Sequence, residues 1–133
     1  MNILISGAGG FIGEHLSIAL ANNHNIYKIF SSSKKIHNKN CLNIDLTNKE
    51  KVEIVSKQLS SNKIDVIIHL AAKMSSSDNN ENLSLLKDNI KITKNIIFLS
   101  KVLMPEIFIN FSSMVVYPNV SGLFKEDTVP NPK

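Results

Sequence analysis

The residues best placed to do chemistry are Ser6-Gly7-Ala8-Gly9-Gly10-Phe11-Ile12-Gly13, which set four glycines within seven positions. They follow a short apolar run, Asn2 to Ser6, and open a stretch with helical periodicity. At such a junction glycines suit anion binding. Gly7 allows a tight turn. Gly10 lets the backbone approach a diphosphate with no side chain between. Gly13 lets the helix pack closely on the sheet. The anion would rest on the helix N-terminus, where unpaired N–H groups and the helix dipole favour negative charge. The spacing G-x-G-x-x-G fits poorly, because Ile12 would take its third glycine position, whereas G-x-x-G-x-x-G fits in full. The competing reading is a glycine-rich turn with no ligand.

Other residue types admit both a chemical and a plain reading. Asp45 is a candidate ligand contact, or a cap on the next turn. His69 is a candidate polar group, or a satisfied core histidine. Asn89 and Thr93 lie on a helical stripe, where a structural role competes with a ligand contact. Ser112 and Ser113 end an apolar run, where hydroxyls also bond to backbone. Cys41 is the single cysteine, so no intrachain disulfide is possible. It sits in an apolar run and reads as a packed thiol. No metal site is assigned.

The elements that must position these residues follow from periodicity. Asn2–Ser6, Ile26–Phe30, Leu42–Leu46, Asp65–Leu70 and Ile107–Phe111 read as strands. Helices are expected from Phe11 to about Ala21, where Ile12, Leu16, Ala19 and Leu20 recur at helical spacing, from about Asn48 to Ser60, and from about Asn80 to Leu103. On the last, two stripes, Leu86-Ile90-Thr93-Ile97 and Ile92-Ile96-Leu99-Leu103, predict a broad buried face, and Pro105 ends it. Strands apolar throughout, alternating with helices, indicate an α/β fold with a parallel sheet covered on both faces. Right-handed crossovers and double winding predict the strand order 3-2-1-4-5, a Rossmann-like sheet.

Bulk composition narrows the classes. The 133 residues fit one compact domain, with 43% hydrophobic and 20% charged residues and a formal net charge of +4. All the basic residues are lysines, scattered apart from Lys34-Lys35, so nucleic acid is not an expected partner. No apolar stretch approaches the ~18 residues of a membrane span, and no membrane association is expected. The N-terminus lacks a secretory pattern, so the expected location is the cytoplasm.

Taken together, these residues resemble the N-terminal part of an extended short-chain dehydrogenase/reductase of the NAD-dependent epimerase/dehydratase type. Gly7, Gly10 and Gly13 match its glycine turn, and Phe11 and Ile12 lie within it. Asp45-Leu46 matches a position whose acid contacts the adenine amino group. His69-Leu70-Ala71-Ala72 matches the segment lining the cofactor, with Lys73 and Ser75 following where substrate loops begin. Asn89, Thr93 and Asn95 match a helix pattern in which the Asn position helps hold the active-site strand; Ile92 replaces a glycine common there. Ser112-Ser113-Met114-Val115-Val116-Tyr117 matches Ser-Ser-x-x-Val-Tyr. The resemblance implies that Ser113 is the catalytic serine, that Tyr117 lies near the sugar, and that the cofactor is NAD or NADP. It implies hydride exchange with a sugar nucleotide, by an epimerase, dehydratase or reductase.

An acid at the end of the second strand usually holds the ribose hydroxyls of NAD. Here that end reads Phe30-Ser31-Ser32-Ser33-Lys34-Lys35, which favours NADP, with Ser32 and Lys34 as phosphate contacts. The resemblance also implies a Tyr-x-x-x-Lys pair for proton transfer. Tyr27 and Tyr117 are followed four residues later by Ser31 and Ser121. The expectation is an incomplete dinucleotide-binding domain over 1–133, stopping before the catalytic tyrosine and lacking the substrate domain. An uncovered face on the fifth strand would then invite self-association or a missing C-terminal portion. The alternatives are a noncatalytic dinucleotide-binding module and an inactive gene fragment.

Overall fold

The computed structural model describes residues 1–31, 39–74, 82–113, 116–117 and 122–131. Among these residues lie five strands, β1 (Asn2–Ser6), β2 (Asn25–Phe30), β3 (Cys41–Asn43), β4 (Val66–His69) and β5 (Ile107–Asn110), and three helices. These are α1 (Phe11–Leu20), α2 (Lys49–Leu59) and α3 (Asn82–Leu103). The sheet runs β3-β2-β1-β4-β5, and every pairing is parallel. The expected order and fold class are therefore observed.

Alternation along β1 divides the core into two layers. Leu4 faces the layer that holds Ile44, Val52, Val55, Leu59, Ile67, Ile92, Ile96 and Leu99, beneath α2 and α3. Ile3 and Ile5 face the other, with Ile26, Val66 and Ile68, beneath Leu16 and Leu20 of α1. The central strands β1 and β4 are apolar on both sides because helices lie over both faces, whereas β5 is exposed along its length.

The helices have identifiable starts and stops. Asn48 caps α2, its side chain accepting from the Lys51 N–H (3.1 Å). Glu50 and Lys57 then match the two ends of the helix dipole. At the end of α3 the chain turns left-handed at Met104 (φ 46°), just before Pro105.

Three expectations need correction. First, only the Ile92-Ile96-Leu99 stripe of α3 is buried; Leu86 (55% exposed), Ile90 and Ile97 face outward. Only one side of α3 meets α2 and the sheet, and helical spacing alone does not say which. Second, α1 buries Gly13 and Ser17, while Ile12 and Ala19 are exposed. Its small residues allow the helix to lie close to the sheet. Third, β3 is shorter than Leu42–Leu46. After Asn43 the Ile44 N–H still donates to Phe30 O (2.8 Å), but at Asp45 the chain turns toward α2.

Cys41 is half-buried with a free thiol. Among the described residues no helix is long and apolar enough to cross a membrane.

Candidate functional site

The five parallel strands end on one edge of the sheet, and the segments that leave β1, β2, β3 and β4 border a cavity of about 360 Å³. Its floor is the turn after β1. Gly7 adopts φ +72°, and a Cβ there would sit 2.8 Å from the Ala71 nitrogen. The turn therefore lies directly against the segment that leaves β4. A Cβ on Gly13 would overlap the Gly7 carbonyl oxygen and come within 2.8 Å of Ala8 Cα. Gly10 differs: its nearest neighbour would be Gly7 O at 3.4 Å, an ordinary contact, and its other side faces the cavity. The Gly10 N–H donates to Gly7 O (3.0 Å), closing the turn, and no side chain caps α1. The first N–H groups of that helix have no intrahelical acceptor. The backbone of this turn is thus left bare toward the cavity by its missing side chains.

The walls are fixed from α3. Asn89 bonds both sides of the Lys73 backbone, accepting from its N–H (2.8 Å) and donating to its carbonyl (2.9 Å). Asn95, buried, donates to Leu46 O (2.7 Å). The segments after β4 and after β3 are thereby held by one helix. Thr93 donates its hydroxyl to Asn89 O (3.0 Å), a bond within the helix.

Electrostatics in the cleft are set by short local contacts. The backbone N–H and the hydroxyl of Thr47 both donate to Asp45 Oδ1 (2.9 and 2.7 Å). These bonds, led by the backbone one, hold the Asp45 carboxyl below the usual carboxylate range, assisted by Lys73 and Lys51. Asp45 therefore caps a turn and also lines the cavity. The Lys73 ammonium contacts Asp88 (2.7 Å), which raises the lysine and lowers the acid.

At the sheet edge beneath, Ser6 Oγ lies 2.7 Å from His69 Nδ1, and both residues are buried. Burial pushes the His69 imidazole below its ordinary value of 6.5. In the unfolded chain the ring takes its proton near 6.5, and in the fold it does so only at lower pH. The stability this group contributes is thus complete above that value and lost as pH falls through the folded pKa. Thermal melts from about pH 8 to about pH 5 should show this decline, at most about 1.4 kcal/mol per pH unit. The component should vanish in His69→Gln; superimposable curves for the two proteins would contradict it.

Of the residues expected at a site, the fold brings Gly7, Gly10, Asp45, Leu46, Leu70, Ala71, Ala72 and Lys73 together around the cavity. The side chains of Phe11 (81% exposed) and Ile12 point away, leaving only their backbone near the turn. Gly13 packs behind the turn, and Asn89 acts on Lys73 from outside the lining. Ser113 is exposed beyond β5, its carbonyl accepting from the Val116 N–H (3.2 Å). Tyr117 stacks on Phe124, with ring centroids 5.1 Å apart. Neither Ser113 nor Tyr117 lines the cavity. Ser32, Lys34, Lys35 and Ser75 lie outside the described residues.

Sequence reasoning missed Gly9, Ile29, Phe30, Ser31, Ile44 and Ile92 as lining residues. Parallel register offered a signal for some of them, since strand ends in one sheet share an edge. The sequence marks Ile92 only as replacing a glycine of the family's helix pattern and as a core residue, not as a wall of the cavity.

Comparison with known proteins agrees with this geometry. Residues 3–133 match the profile of the NAD dependent epimerase/dehydratase family. Over 104 residues the chain is 36% identical to a dTDP-D-glucose 4,6-dehydratase of Dictyostelium discoideum, covering 70% of this chain and 23% of that protein. A hypothetical dTDP-4-dehydrorhamnose reductase from Sulfolobus tokodaii superposes with a TM-score of 0.77 at 29% identity, over 99% of this chain and 46% of that one. A UDP-glucuronic acid 4-epimerase from Bacillus cereus, solved with UDP-glucuronic acid and NAD, gives 0.76 at 30% identity, over 99% and 46%. The chain thus spans less than half the length of these relatives. With its sheet order, its glycine turn and this match over almost every residue, the chain belongs to the NAD dependent epimerase/dehydratase family.

Proposed function

We propose that the cleft holds a nicotinamide dinucleotide, and that residues 1–133 are the dinucleotide-binding domain of an enzyme acting on sugar nucleotides. The observation that carries this reading is the open side of Gly10, with Gly7 and Gly13 wedging the turn behind it. The diphosphate would lie against Gly10 and the N–H groups of Phe11, Ile12 and Gly13. Asp45 and Leu46 would meet the adenine. Leu70, Ala71, Ala72 and Lys73 would line the opposite wall, with Asn89 holding that wall in place. Ser113 would bond the reacting hydroxyl or carbonyl, and Ser75 and Tyr117 would lie toward the sugar. The nicotinamide supplies a hydride acceptor and donor when bound. The chain's own part is to bind, orient and exclude water.

Between the two nicotinamide cofactors, the end of β2 favours NADP. Phe30 and Ser31 line the cavity there, and no carboxylate stands among Ser31 to Lys35 to repel a 2′-phosphate. A second reading, binding without turnover, draws on the tyrosines. Tyr27 and Tyr117 lack a lysine four residues on, so residues 1–133 alone are proposed to bind dinucleotide and to leave sugar nucleotides unchanged.

Isothermal calorimetry tests the proposal directly. The folded chain should release or absorb heat with NADP and with NAD, more tightly with NADP. Gly10→Val should cost no more than the roughly 1 kcal/mol of a poorer helix N-cap, because its Cβ meets nothing closer than 3.4 Å, yet lose at least roughly tenfold in affinity. No heat from either dinucleotide, or unchanged affinity in Gly10→Val, would sink the reading.

A further inference from the structure

Two consecutive residues of α3 take hold of Lys73 at its two ends. Asn89 fixes the Lys73 backbone through its N–H and its carbonyl (2.8 and 2.9 Å). Asp88 holds the ammonium, at 2.7 Å. With the backbone clamped, only the side-chain torsions of Lys73 can move its charge. Lys73 stands between two hollows. One is the cleft, which it lines together with Asp45. The other, of about 390 Å³, it borders with Met74, Ser84, Leu85 and Asp88. Asp88 does not line the cleft, so the ion pair draws the ammonium toward the second hollow.

Asp45 is the competing acceptor. Its Oδ1 already accepts twice from Thr47, whereas its Oδ2 has no hydrogen bond among the described residues. No ion pair joins Lys73 to Asp45 among those residues, although each charge stabilises the other. From this arrangement we infer that Asp88 is a positioning residue: it holds the Lys73 ammonium off Asp45 and so keeps that side of the cleft open. The inference rests on the reading of the cleft as a dinucleotide site, in which the adenine would meet Asp45. Without Asp88, Lys73 would swing onto Asp45, and an entering adenine would have to break that pair. The other nearby cations stay on their own sides, Lys51 by Asp45 and Lys91 at 3.7 Å from Asp88. Ion pairs as exposed as this one shift equilibria only a few-fold, which sets the size of the effect.

Calorimetry with NADP and NMR titration of the Asp45 carboxyl, both on the intact chain, test this. Asp88→Asn should weaken NADP binding roughly threefold to fivefold at low salt, and the loss should shrink as salt rises. In a Lys73→Met background the same change should leave the affinity unaltered. A merely structural role at the start of α3 would persist there. Asp88→Asn should also lower the Asp45 pKa. That shift should be smaller in Lys73→Met, where only the removal of a like charge remains. Unchanged or tighter NADP binding in Asp88→Asn overturns the inference. So does an equal loss of affinity, or an equal Asp45 shift, in the two backgrounds. The carboxyl titration needs no ligand. If the parent binds no dinucleotide, the reading of the cleft falls, while the Asp45 response still decides whether Asp88 restrains Lys73.

Discussion

Gly13→Ala should lower the thermal midpoint by about 10 °C and weaken dinucleotide binding with it. The added methyl overlaps the Gly7 carbonyl oxygen. Gly7 has little room to retreat, because even a Cβ added there would lie within 2.9 Å of the backbone of Leu70 and Ala71, just after β4. The turn is wedged between a helix and a strand end, and the clash must be relieved by moving one of them. Overpacking of this kind costs about 1–3 kcal/mol, or more where backbone must shift. For a domain of this size each kcal/mol is roughly 3–5 °C. Differential scanning calorimetry of the two proteins is sufficient. A midpoint within about 2 °C of the parent would mean that α1 slides freely, and the wedge argument would fail. The contrast with Gly10→Val, three positions earlier, separates a glycine needed by the fold from one needed by the cleft.

The second large effect comes from two neighbours on α3. Ile96 is fully buried and Ile97 is 42% exposed. Ile96→Ala should cost about 2–5 kcal/mol, since it leaves a void between α3, α2 and the sheet. Ile97→Ala should fall within about 0.5 kcal/mol of the parent. Against a total stability of about 5–15 kcal/mol the first is severe. Urea unfolding midpoints will report both. Equal losses at the two positions would mean that both faces of α3 are buried in solution.

That pair also shows where the sequence stops being informative. Strand and helix positions came through because short, continuously apolar runs differ clearly from stretches with a 3.6-residue period, and the glycine turn came through because its spacing meets a steric demand at each position. The two stripes of α3 have the same period and the same residue types. Only the placement of α2, which packs on one of them, tells core from surface. The end of β3 was hidden for a related reason. Ile44 and Leu46 are buried like strand residues, but by α2 and α3 after the ladder has ended. In the cleft, residues within or beside the glycine and Leu70–Lys73 segments were legible because chain neighbours share a wall. Phe30 and Ile92 were not, since their approach depends on sheet register and helix crossing. Asn89 was visible as a polar residue on a helix, but its partner, the Lys73 peptide, lies sixteen residues away in sequence.

The Asn89 side chain has a kinetic consequence. By meeting both the donor and the acceptor of one residue, it gives Lys73 the pairing of a strand without a strand. Immobilising a backbone residue costs roughly 1–2 kcal/mol in entropy. Here that ordering happens when the chain folds. A molecule entering the cleft therefore meets a rim already set, and its arrival need not wait for a loop to find its shape.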